Sequence, residues 1–396
     1  MLIKSISLDG WRNYFQQRVD LGKSPSLFLG PNGQGKTNLI EAIVYAAKGN
    51  SHRTHLDSVL VNPEFEKAII KLVAIAGERS IGVDLEISAS GNNICRVNGQ
   101  PTKIRELPSL LPVVLFAPED IDLVRGEPEI RRRFLDEILK SKNPRLAAVI
   151  SDYEKILKQR NSLLKSIRGK SLGQTTTLES WTASLVAAGA VIMKARRELV
   201  EQLSPLIAKH YSAIAPENHS VEIQIAESIS NETSNENIEQ VLTQMFHVKH
   251  SEEIERGATL FGPHRDDLVL QLNNLPARTH SSQGEAWSTA LALRLAQLDV
   301  LKEQSRVGDP VVILDDVFSE LDPERRDRLA KHLSGIEQVL VTAADEESIP
   351  AGFTGSRFMV KKGSVEQTSA TGEISHEIIT KSTNPVQVLP ELKVTP

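Results

Sequence analysis

The chain has 396 residues, of which 40% are hydrophobic and 24% are charged. These fractions are ordinary for a globular protein, and the length predicts two or three domains. The net charge of −5 excludes a uniformly basic nucleic-acid-binding surface, although a local basic patch remains possible. The single cysteine, Cys95, excludes an intramolecular disulfide and a cysteine-rich metal site. No apolar run approaches membrane-spanning length and no signal peptide is visible, so we expect a soluble cytoplasmic protein.

The first part of the chain has the pattern of strands around a glycine-rich turn. Apolar positions alternate or cluster before Gly30, and the positions over 39–47 recur at helical spacing. The dipeptide Asn98-Gly99 is a strong signal for a two-residue β-hairpin. Together these patterns predict an α/β lobe. The expected strands are 2–8, 19–21, 27–29, 68–75, 81–87 and 113–116.

The middle of the chain has a helical pattern from about residue 129 to residue 208. Two apolar stripes are separated by a turn-like segment at 168–173, which predicts two long helices folded back on each other. Heptads are not sustained, so a long coiled coil is not expected. A strand over 268–272, a helix over about 285–305 and a buried strand over 311–314 are expected to follow.

Residues 30–37 satisfy the pattern G-x-x-x-x-G-K-[ST] between a predicted strand and a predicted helix. Glycines let backbone amides surround a phosphate, and the helix N-terminus favours negative charge. In such a loop Lys36 reaches the β and γ phosphates, and the Thr37 hydroxyl ligates Mg²⁺. An ordinary glycine-rich turn is the alternative. The predicted ATP-binding residues of this phosphate loop are Gly30, Pro31, Asn32, Gly33, Gln34, Gly35, Lys36 and Thr37.

Two carboxylates, Asp315 and Asp316, follow the buried strand 311–314. In a P-loop ATPase such a strand lies beside the phosphate loop, its first acid holds Mg²⁺ and the second polarises the attacking water. We therefore predict a metal site at Thr37 and Asp315, and catalytic roles for Lys36 and Asp316. The alternative is that the two acids cap the following helix.

Residues 282–285, Ser-Gln-Gly-Glu, open the helix predicted near 285–305. They resemble the signature motif of ABC-type ATPases, and residues 319–322 resemble the D-loop of the same proteins. The resemblance implies that Ser282 and Gly284 contact the γ-phosphate bound to a second copy, so that two heads close around two ATP molecules. Ser282 and Glu285 also fit a capping box, and both interpretations can hold together.

Several further segments resemble the RecF family, in the SMC/Rad50 branch of these ATPases. These segments are 10–14, 51–54, 118–120, 131–136, 153–155, 159–161, 262–267 and 314–321. The resemblance implies an α/β fold, an ABC-type P-loop ATPase head of Rad50-like form with a helical insertion domain. The expected divisions are the N-terminal part of the head with a β-lobe (1–125), the helical arm (126–255), the C-terminal part of the head (256–360) and a disordered tail (361–396).

The family resemblance also implies a function, that of a DNA-repair ATPase in bacteria. An ATP-dependent homodimer would grip single- and double-stranded DNA near gap junctions, with RecR and RecO as partners and RecA loading as the outcome. Support of replication forks, a role in the SOS response and association with the nucleoid are implied as well. Glu285 stands where glutamine is usual and Asp316 where glutamate is usual, and neither a Q-loop glutamine nor a switch histidine is visible. We therefore expect slow, DNA-stimulated hydrolysis.

Some polar residues and some functions remain open at this level. Arg12 and Asn13 are candidates for nucleotide contact or for a turn, and His264 with Arg265 for DNA or an interlobe contact. The alternative functions are an ATPase subunit of another ABC-type system, such as a transporter, and a nucleotide-binding scaffold. For the cations on the helical arm the alternative is a solvated face. The candidate DNA contacts among them are Arg131, Arg132, Arg133, Lys155, Lys158, Arg160, Lys165, Arg168 and Lys170.

Overall fold

A computed structural model of the chain describes residues 1–23, 25–168, 175–215, 219–229, 233–305 and 308–368. The strands are β1 Leu2–Trp11, β2 Tyr14–Asp20, β3 Ser26–Leu29, β4 Lys67–Ala76, β5 Arg79–Ser88, β6 Ile94–Val97, β7 Gln100–Pro101, β8 Val113–Phe116, β9 Val221–Ala226, β10 Asp267–Leu272, β11 Leu275–Pro276, β12 Val311–Asp315, β13 Val339–Ala343, β14 Ser356–Lys361 and β15 Ser364–Thr368. The helices are α1 Lys36–Lys48, α2 Leu107–Leu110, α3 Asp122–Arg125, α4 Pro128–Lys142, α5 Pro144–Ile167, α6 Thr175–Ile214, α7 Ile238–Val248, α8 His250–Arg256, α9 Ala277–His280, α10 Gln283–Gln304 and α11 Pro323–Leu333.

The described strands form three sheets. An antiparallel sheet has the order β2-β1-β4-β5-β6-β7, and a small antiparallel sheet has the order β11-β10-β9. The third, which we call the core sheet, has the order β15-β14-β3-β13-β12-β8 and is parallel except at β15. The predicted hairpin at Asn98-Gly99 is confirmed, since both residues have positive φ and join β6 to β7.

The core sheet is covered on both faces, which explains its continuous apolar strands. In β3, Leu27 and Leu29 pack into one hydrophobic cluster, while Phe28 packs into another on the opposite face. The strands β8, β12 and β13 divide their residues between the same two clusters. Because β3, β13, β12 and β8 are parallel, their carboxyl ends meet at one edge of the sheet. The phosphate loop follows β3 at that edge, and Asp315 ends β12 there.

The acidic strand β12 does not lie next to β3 in this sheet. The strand β13 lies between them. Thr37, in the first turn of α1, nevertheless reaches Asp315 at the end of β12. The side chains therefore meet although their strands are not neighbours.

The helical arm contains the predicted pair of long helices, since α5 and α6 pack against each other. Of the turn expected at 168–173, residues 169–173 lie outside the described residues. The sequence interpretation missed β9, which pairs antiparallel with β10. Its apolar residues, Val221, Ile223 and Ile225, alternate over too few positions to stand out after a helix of 40 residues. No helix in the described ranges is long and apolar enough to cross a bilayer.

The predicted start of the disordered tail, residue 361, is too early in the chain. Residues Ser364–Thr368 form β15, which pairs antiparallel with β14. The strand was missed because it is short and polar, with Val365 as its one buried apolar residue. Residues 369–396 lie outside the described residues.

Two arginines expected as DNA contacts are instead buried and fasten the arm. Arg131 donates two hydrogen bonds of 2.8 Å to the carboxylate of Asp267. Arg160 donates to Glu253 at 2.6 Å and to Thr259 at 2.8 Å, and its side chain is 1% exposed. Buried charges of this kind are retained when they are paired, and removing one partner is strongly destabilising. These two arginines therefore have a structural role.

The segment 262–267 makes interlobe contacts through its polar side chains. The Tyr153 hydroxyl and His264 Nδ1 are 2.7 Å apart, and Arg265 Nη2 donates to the carbonyl of Thr259 at 2.9 Å. Arg196 on α6 donates to the carbonyl of Pro263 at 2.6 Å. Of the two roles left open, the bond to Tyr153 favours the interlobe contact for His264, whereas the bond of Arg265 to Thr259 is local and favours neither role.

Asp266, in the same segment, is a buried acid. One carboxylate oxygen accepts the Ser228 N–H at 2.7 Å, and the other has no hydrogen-bond partner among the described residues. Burial raises the pKa of Asp266 to about 6, from 3.8. The native state therefore binds a proton at this site more readily than the unfolded chain does, so wild type loses stability as the pH rises from about 4 to about 6.

We predict that Asp266→Asn, which carries no charge, favours the folded state increasingly over this pH range. The free energy of unfolding of the variant minus that of wild type should be about 1–2 kcal/mol larger at pH 8 than at pH 5. Urea unfolding at the two pH values measures this difference. Asp327→Asn, on an exposed residue, is the control and should show no such pH dependence. The same effect of Asp266→Asn at both pH values would contradict the assignment.

Candidate nucleotide-binding site

The phosphate loop, residues 30–37, joins β3 to α1, and its glycines are required by its geometry. Gly30 has φ 151°, and a Cβ there would lie 2.3 Å from the carbonyl oxygen of Val360. Gly35 has φ 119° at the N-cap of α1, and a Cβ there would lie 2.7 Å from Asn13 Nδ2. The loop therefore packs closely against Val360 on one side and Asn13 on the other. A side chain at position 30 or 35 would clash there and change the loop conformation.

Lys36 places its ammonium inside this loop. Its Nζ donates to the carbonyl of Gly30 at 2.7 Å and to that of Pro31 at 3.3 Å, and lies 3.4 Å from Asn32 Oδ1. Lys36 is 4% exposed, whereas Pro31, Asn32 and Gly33 are exposed. A cation held at the base of an open loop with the α1 N-terminus behind it is suited to bind phosphate. The arrangement fits the predicted ATP site.

Asp315 joins the phosphate loop to the neighbouring strand. Its Oδ1 accepts a hydrogen bond from the Thr37 hydroxyl at 3.2 Å and one from the Thr342 hydroxyl at 2.6 Å. Burial raises the pKa of Asp315 to about 6, and the charge of Asp316 acts in the same direction. The two threonine hydrogen bonds oppose that shift. Within the described residues, the carboxylate has these two hydroxyls as hydrogen-bond partners and forms no ion pair.

The Thr37 hydroxyl and Asp315 carboxylate are oxygen ligands of the kind Mg²⁺ prefers. They lie in contact at the mouth of a phosphate loop, and a divalent cation would place a positive charge beside the Asp315 carboxylate. In the described part of the chain no group of three or more His, Cys, Asp or Glu side chains is arranged to hold a metal by itself. A magnesium ion here would therefore need phosphate oxygens and water as its other ligands, as is usual for this ion at nucleotides.

Asp316 has a left-handed backbone, with φ 52°. Its N–H donates to the Thr342 hydroxyl at 2.9 Å, and its carboxylate makes no hydrogen bond or ion pair within the described ranges. A strained backbone beside a free carboxylate is typical of a functional position. The alternative that the two acids cap α11 is wrong, because Asp322 is the N-cap and accepts from Arg325 N at 3.0 Å.

Thr342, at the end of β13, was not predicted as a site residue. Its hydroxyl donates to Asp315 and accepts from the N–H of Asp316, so it fixes both acids. Its position was visible in the sequence, since an apolar strand that ends in a threonine is expected to place that hydroxyl at the same sheet edge. The sequence interpretation used this stretch only to note the missing switch histidine.

The signature residues form the predicted capping box at the start of α10. The Ser282 hydroxyl accepts from Glu285 N at 3.3 Å, and the Glu285 carboxylate accepts from Ser282 N at 2.7 Å. Ser282 is exposed, and within the described residues the hydrogen bond of its hydroxyl is confined to Glu285. The structure thus does not join Ser282 to the phosphate loop of its own chain.

Arg325 connects the signature helix to the D-loop region. Its Nε donates to Ser288 at 2.9 Å and its Nη1 to Asp322 at 2.6 Å. A Cβ at Gly284 would lie 3.0 Å from Arg325 Nη2, so a glycine allows the guanidinium to lie across the first turn of α10. Gly284 therefore has a packing role in addition to its predicted place in the nucleotide site.

The turn between β1 and β2 supports the phosphate loop. The Tyr14 hydroxyl donates to the carbonyl of Gly35 at 2.9 Å, and Asn13 Nδ2 donates to that of Gln34 at 3.1 Å. Arg12 forms a two-pronged ion pair with the buried carboxylate of Glu41. Both Arg12 and Asn13 also line a cavity of about 650 Å³ beside the loop, together with Asn38, Val59, Val61 and Phe65.

Comparison with known proteins identifies the family. Residues 2–365 match the RecF/RecN/SMC N terminal domain. The chain is 42% identical to the DNA replication and repair protein RecF of Clavibacter sepedonicus, over 95% of this chain and 97% of that protein. It is also 42% identical to the RecF protein of Streptomyces avermitilis, over 93% of this chain and all of that protein.

Solved structures give the same assignment. The structure of the recombination mediator protein RecF with ATP, from the RecFOR pathway, matches with a TM-score of 0.85 and 30% identity, over 93% of this chain and 98% of that one. The Smc head domain of Pyrococcus furiosus shares the fold, with a TM-score of 0.54 and 15% identity, over 93% of this chain and 96% of that one. The α/β ABC-type head predicted from the sequence is confirmed, and the chain belongs to the RecF family.

Proposed function

We propose that this chain is an ATP-dependent DNA clamp that acts in recombinational gap repair. The observation that carries the proposal is the contact of Thr37, Asp315 and Thr342 beneath an open phosphate loop. It assembles the parts of a phosphoryl-transfer site from distant segments of the chain. The structure of RecF with ATP supports ATP as the ligand.

In this proposal the phosphates, the magnesium ion and the base of ATP bind to different groups of residues. The amides of the phosphate loop and the Lys36 ammonium bind the phosphates, and Thr37 with Asp315 holds Mg²⁺, which supplies counter-charge to them. The cavity beside Asn13 and Asn38 offers apolar walls, Val59, Val61 and Phe65, for the base. Arg12 contributes by fixing the turn through Glu41.

Hydrolysis depends on Asp316 as the general base. Its carboxylate has no hydrogen-bond or ion-pair partner among the described residues, and its N–H is bound to Thr342, which in turn donates to Asp315 beside the phosphate loop. It is one methylene shorter than glutamate, and Thr342 rather than a histidine stands at the adjacent strand end. We therefore propose slow, DNA-stimulated turnover. ATP hydrolysis would set how long the clamp stays closed and would not drive movement along DNA.

The proposal of an ATP-dependent dimer rests on the signature residues 282–285, of which Ser282 is exposed. This serine caps α10, so the N-terminus of this helix, which favours negative charge, lies at the surface. The γ-phosphate bound to a second copy is the partner that suits this end. Two copies would thereby close around two ATP molecules.

The dimer would bind single- and double-stranded DNA near gap junctions, with RecR and RecO as partners. The result would be loading of RecA at the gap, with support of replication forks and of the SOS response. The solved RecF structures from the RecFOR pathway support this assignment. With Arg131 and Arg160 buried, the predicted DNA contacts that remain exposed or half-exposed are Arg132, Arg133, Lys155, Lys158, Lys165 and Arg168, while Lys170 lies outside the described residues.

We predict that Lys36→Met abolishes ATP binding, since it removes the ammonium at the base of the phosphate loop. Titration with a fluorescent ATP analogue should show a rise in Kd of at least about a hundredfold, as expected for loss of a charged contact of about 3 kcal/mol. The matched control is Lys331→Met, an exposed lysine on α11. Equal affinity of wild type and Lys36→Met would exclude this loop as the ATP site.

We predict that Ser282→Asp separates the capping role from the role in the dimer. Aspartate caps a helix as well as serine does, so the fold and the ATP affinity of the monomer should be unchanged. Its charge would repel the γ-phosphate of a second copy, so retention on gapped DNA with ATP should fall at least about tenfold. Ser184→Asp, at an exposed serine on α6, is the control. Unchanged retention of Ser282→Asp would show that Ser282 only caps its helix.

A further inference from the structure

The hairpin β14–β15, which we call the C-terminal hairpin, lies directly against the phosphate loop. Its first strand pairs in parallel with β3, and Val360 approaches Gly30 so closely that no side chain fits at position 30. The predicted ATP site does not include any residue of this hairpin. Its contacts with the loop are nevertheless specific.

Gln34, in the middle of the phosphate loop, is held by the turn of the hairpin. Its side-chain Oε1 accepts the Lys362 N–H at 2.9 Å, and its main-chain oxygen accepts the Gly363 N–H at 3.0 Å. The same main-chain oxygen accepts from Asn13 Nδ2 at 3.1 Å. The carbonyl of Gln34 is thus fixed on the outside of the loop by two separate turns.

The turn itself has a demanding conformation. Lys362 has φ 48° and Gly363 has φ 76°, as in a type I′ hairpin turn. A left-handed lysine is uncommon. A Cβ at Gly363 would lie 2.2 Å from the carbonyl oxygen of Asn13, so the turn packs against both Asn13 and Gln34.

A second contact fixes the hairpin from the other side. The side chain of Gln17, on β2, donates to the carbonyl of Val365 and accepts from the Val365 N–H, both at 3.1 Å. The hairpin is therefore fastened to the antiparallel sheet as well as to the phosphate loop. Moving the hairpin away from the phosphate loop would break the hydrogen bonds to Gln17 as well as those to Gln34.

We propose that the Lys362–Gly363 turn is a positioning element of the nucleotide site, which holds the phosphate loop in its phosphate-binding shape. A glycine-rich loop loses much conformational entropy when it is ordered, and a loop ordered beforehand binds its ligand more tightly. Because a peptide unit is planar, fixing the Gln34 carbonyl also fixes the direction of the Gly35 N–H in the phosphate loop. The inference rests on the proposed function, because it concerns the same ATP site.

The test is the Kd for ATP of Gly363→Ala, measured by titration with a fluorescent ATP analogue. The added methyl group must displace the turn from Asn13, so we expect the Kd to rise about tenfold, the equivalent of one or two lost hydrogen bonds. The matched control is Gly77→Ala in the β4–β5 turn. Gly77 has a similar φ of 61° but no atom within 4 Å of its Cβ position, so it carries the backbone strain without the contact.

Two further variants identify the interaction. Gln34→Met removes the side-chain acceptor at similar size and should also raise the Kd, although less than Gly363→Ala. Lys362→Gly keeps the main-chain donor and removes the charge, so it should leave the Kd within about twofold of wild type. A large loss of affinity in Lys362→Gly would assign the effect to the lysine charge and overturn the proposal.

Thermal unfolding without nucleotide shows whether each variant is folded. A purely structural role would lower the melting temperature of Gly363→Ala but leave the Kd of the folded protein equal to that of Gly77→Ala, and this result would overturn the inference. Failure of the proposed function looks different, because wild type itself would then not bind the ATP analogue. Weaker binding by both Gly363→Ala and Gln34→Met, with Lys362→Gly unchanged, supports the inference.

Discussion

The contact of Asp315 with Thr37 and Thr342 is the interaction on which the rest of the site depends. Thr37 and Asp315 are separated by 278 positions in the chain, yet their oxygens are 3.2 Å apart. The core sheet makes this possible, because its parallel strands end at one edge. The buried carboxylate has a raised pKa and forms no ion pair with the described residues. That imbalance makes the site receptive to a divalent cation and the phosphates it accompanies.

The arm is tied to the head by buried polar contacts, which gives it a defined position relative to the nucleotide. The nearly inaccessible side chain of Arg131 pairs with Asp267 of the head. Those of Arg160 and Arg196 pair with carboxylates within the arm and also donate to Thr259 and to the carbonyl of Pro263 in the head. Such pairs add little net stability compared with apolar packing, but they specify one arrangement because an unpaired buried charge is costly. In a clamp, a fixed arm would move with its head when two heads close.

Most of this fold and site could be predicted from short sequence motifs and from the local pattern of apolar residues. The phosphate loop and the strand that ends in Asp315 and Asp316 were identifiable because each chemistry needs particular residue types in sequence. Thr342, Gln34 and the Lys362–Gly363 turn were harder, since their roles depend on contacts between segments far apart in the chain. The arginines of α4 and α5 show the same limit, because charge alone does not distinguish an exposed cation from Arg160 paired with Glu253. Short strands, β9 and β15, carried too few apolar residues to be recognised.

The central claim is that ATP bound at this site joins two copies of the chain. Sedimentation velocity of the full chain, with Mg²⁺ and with or without saturating ATP, tests it most directly. We predict a monomer without nucleotide, a dimer with ATP, and a monomer for Lys36→Met under both conditions. A wild-type protein that stays monomeric with ATP, or that dimerises equally without it, would contradict the account.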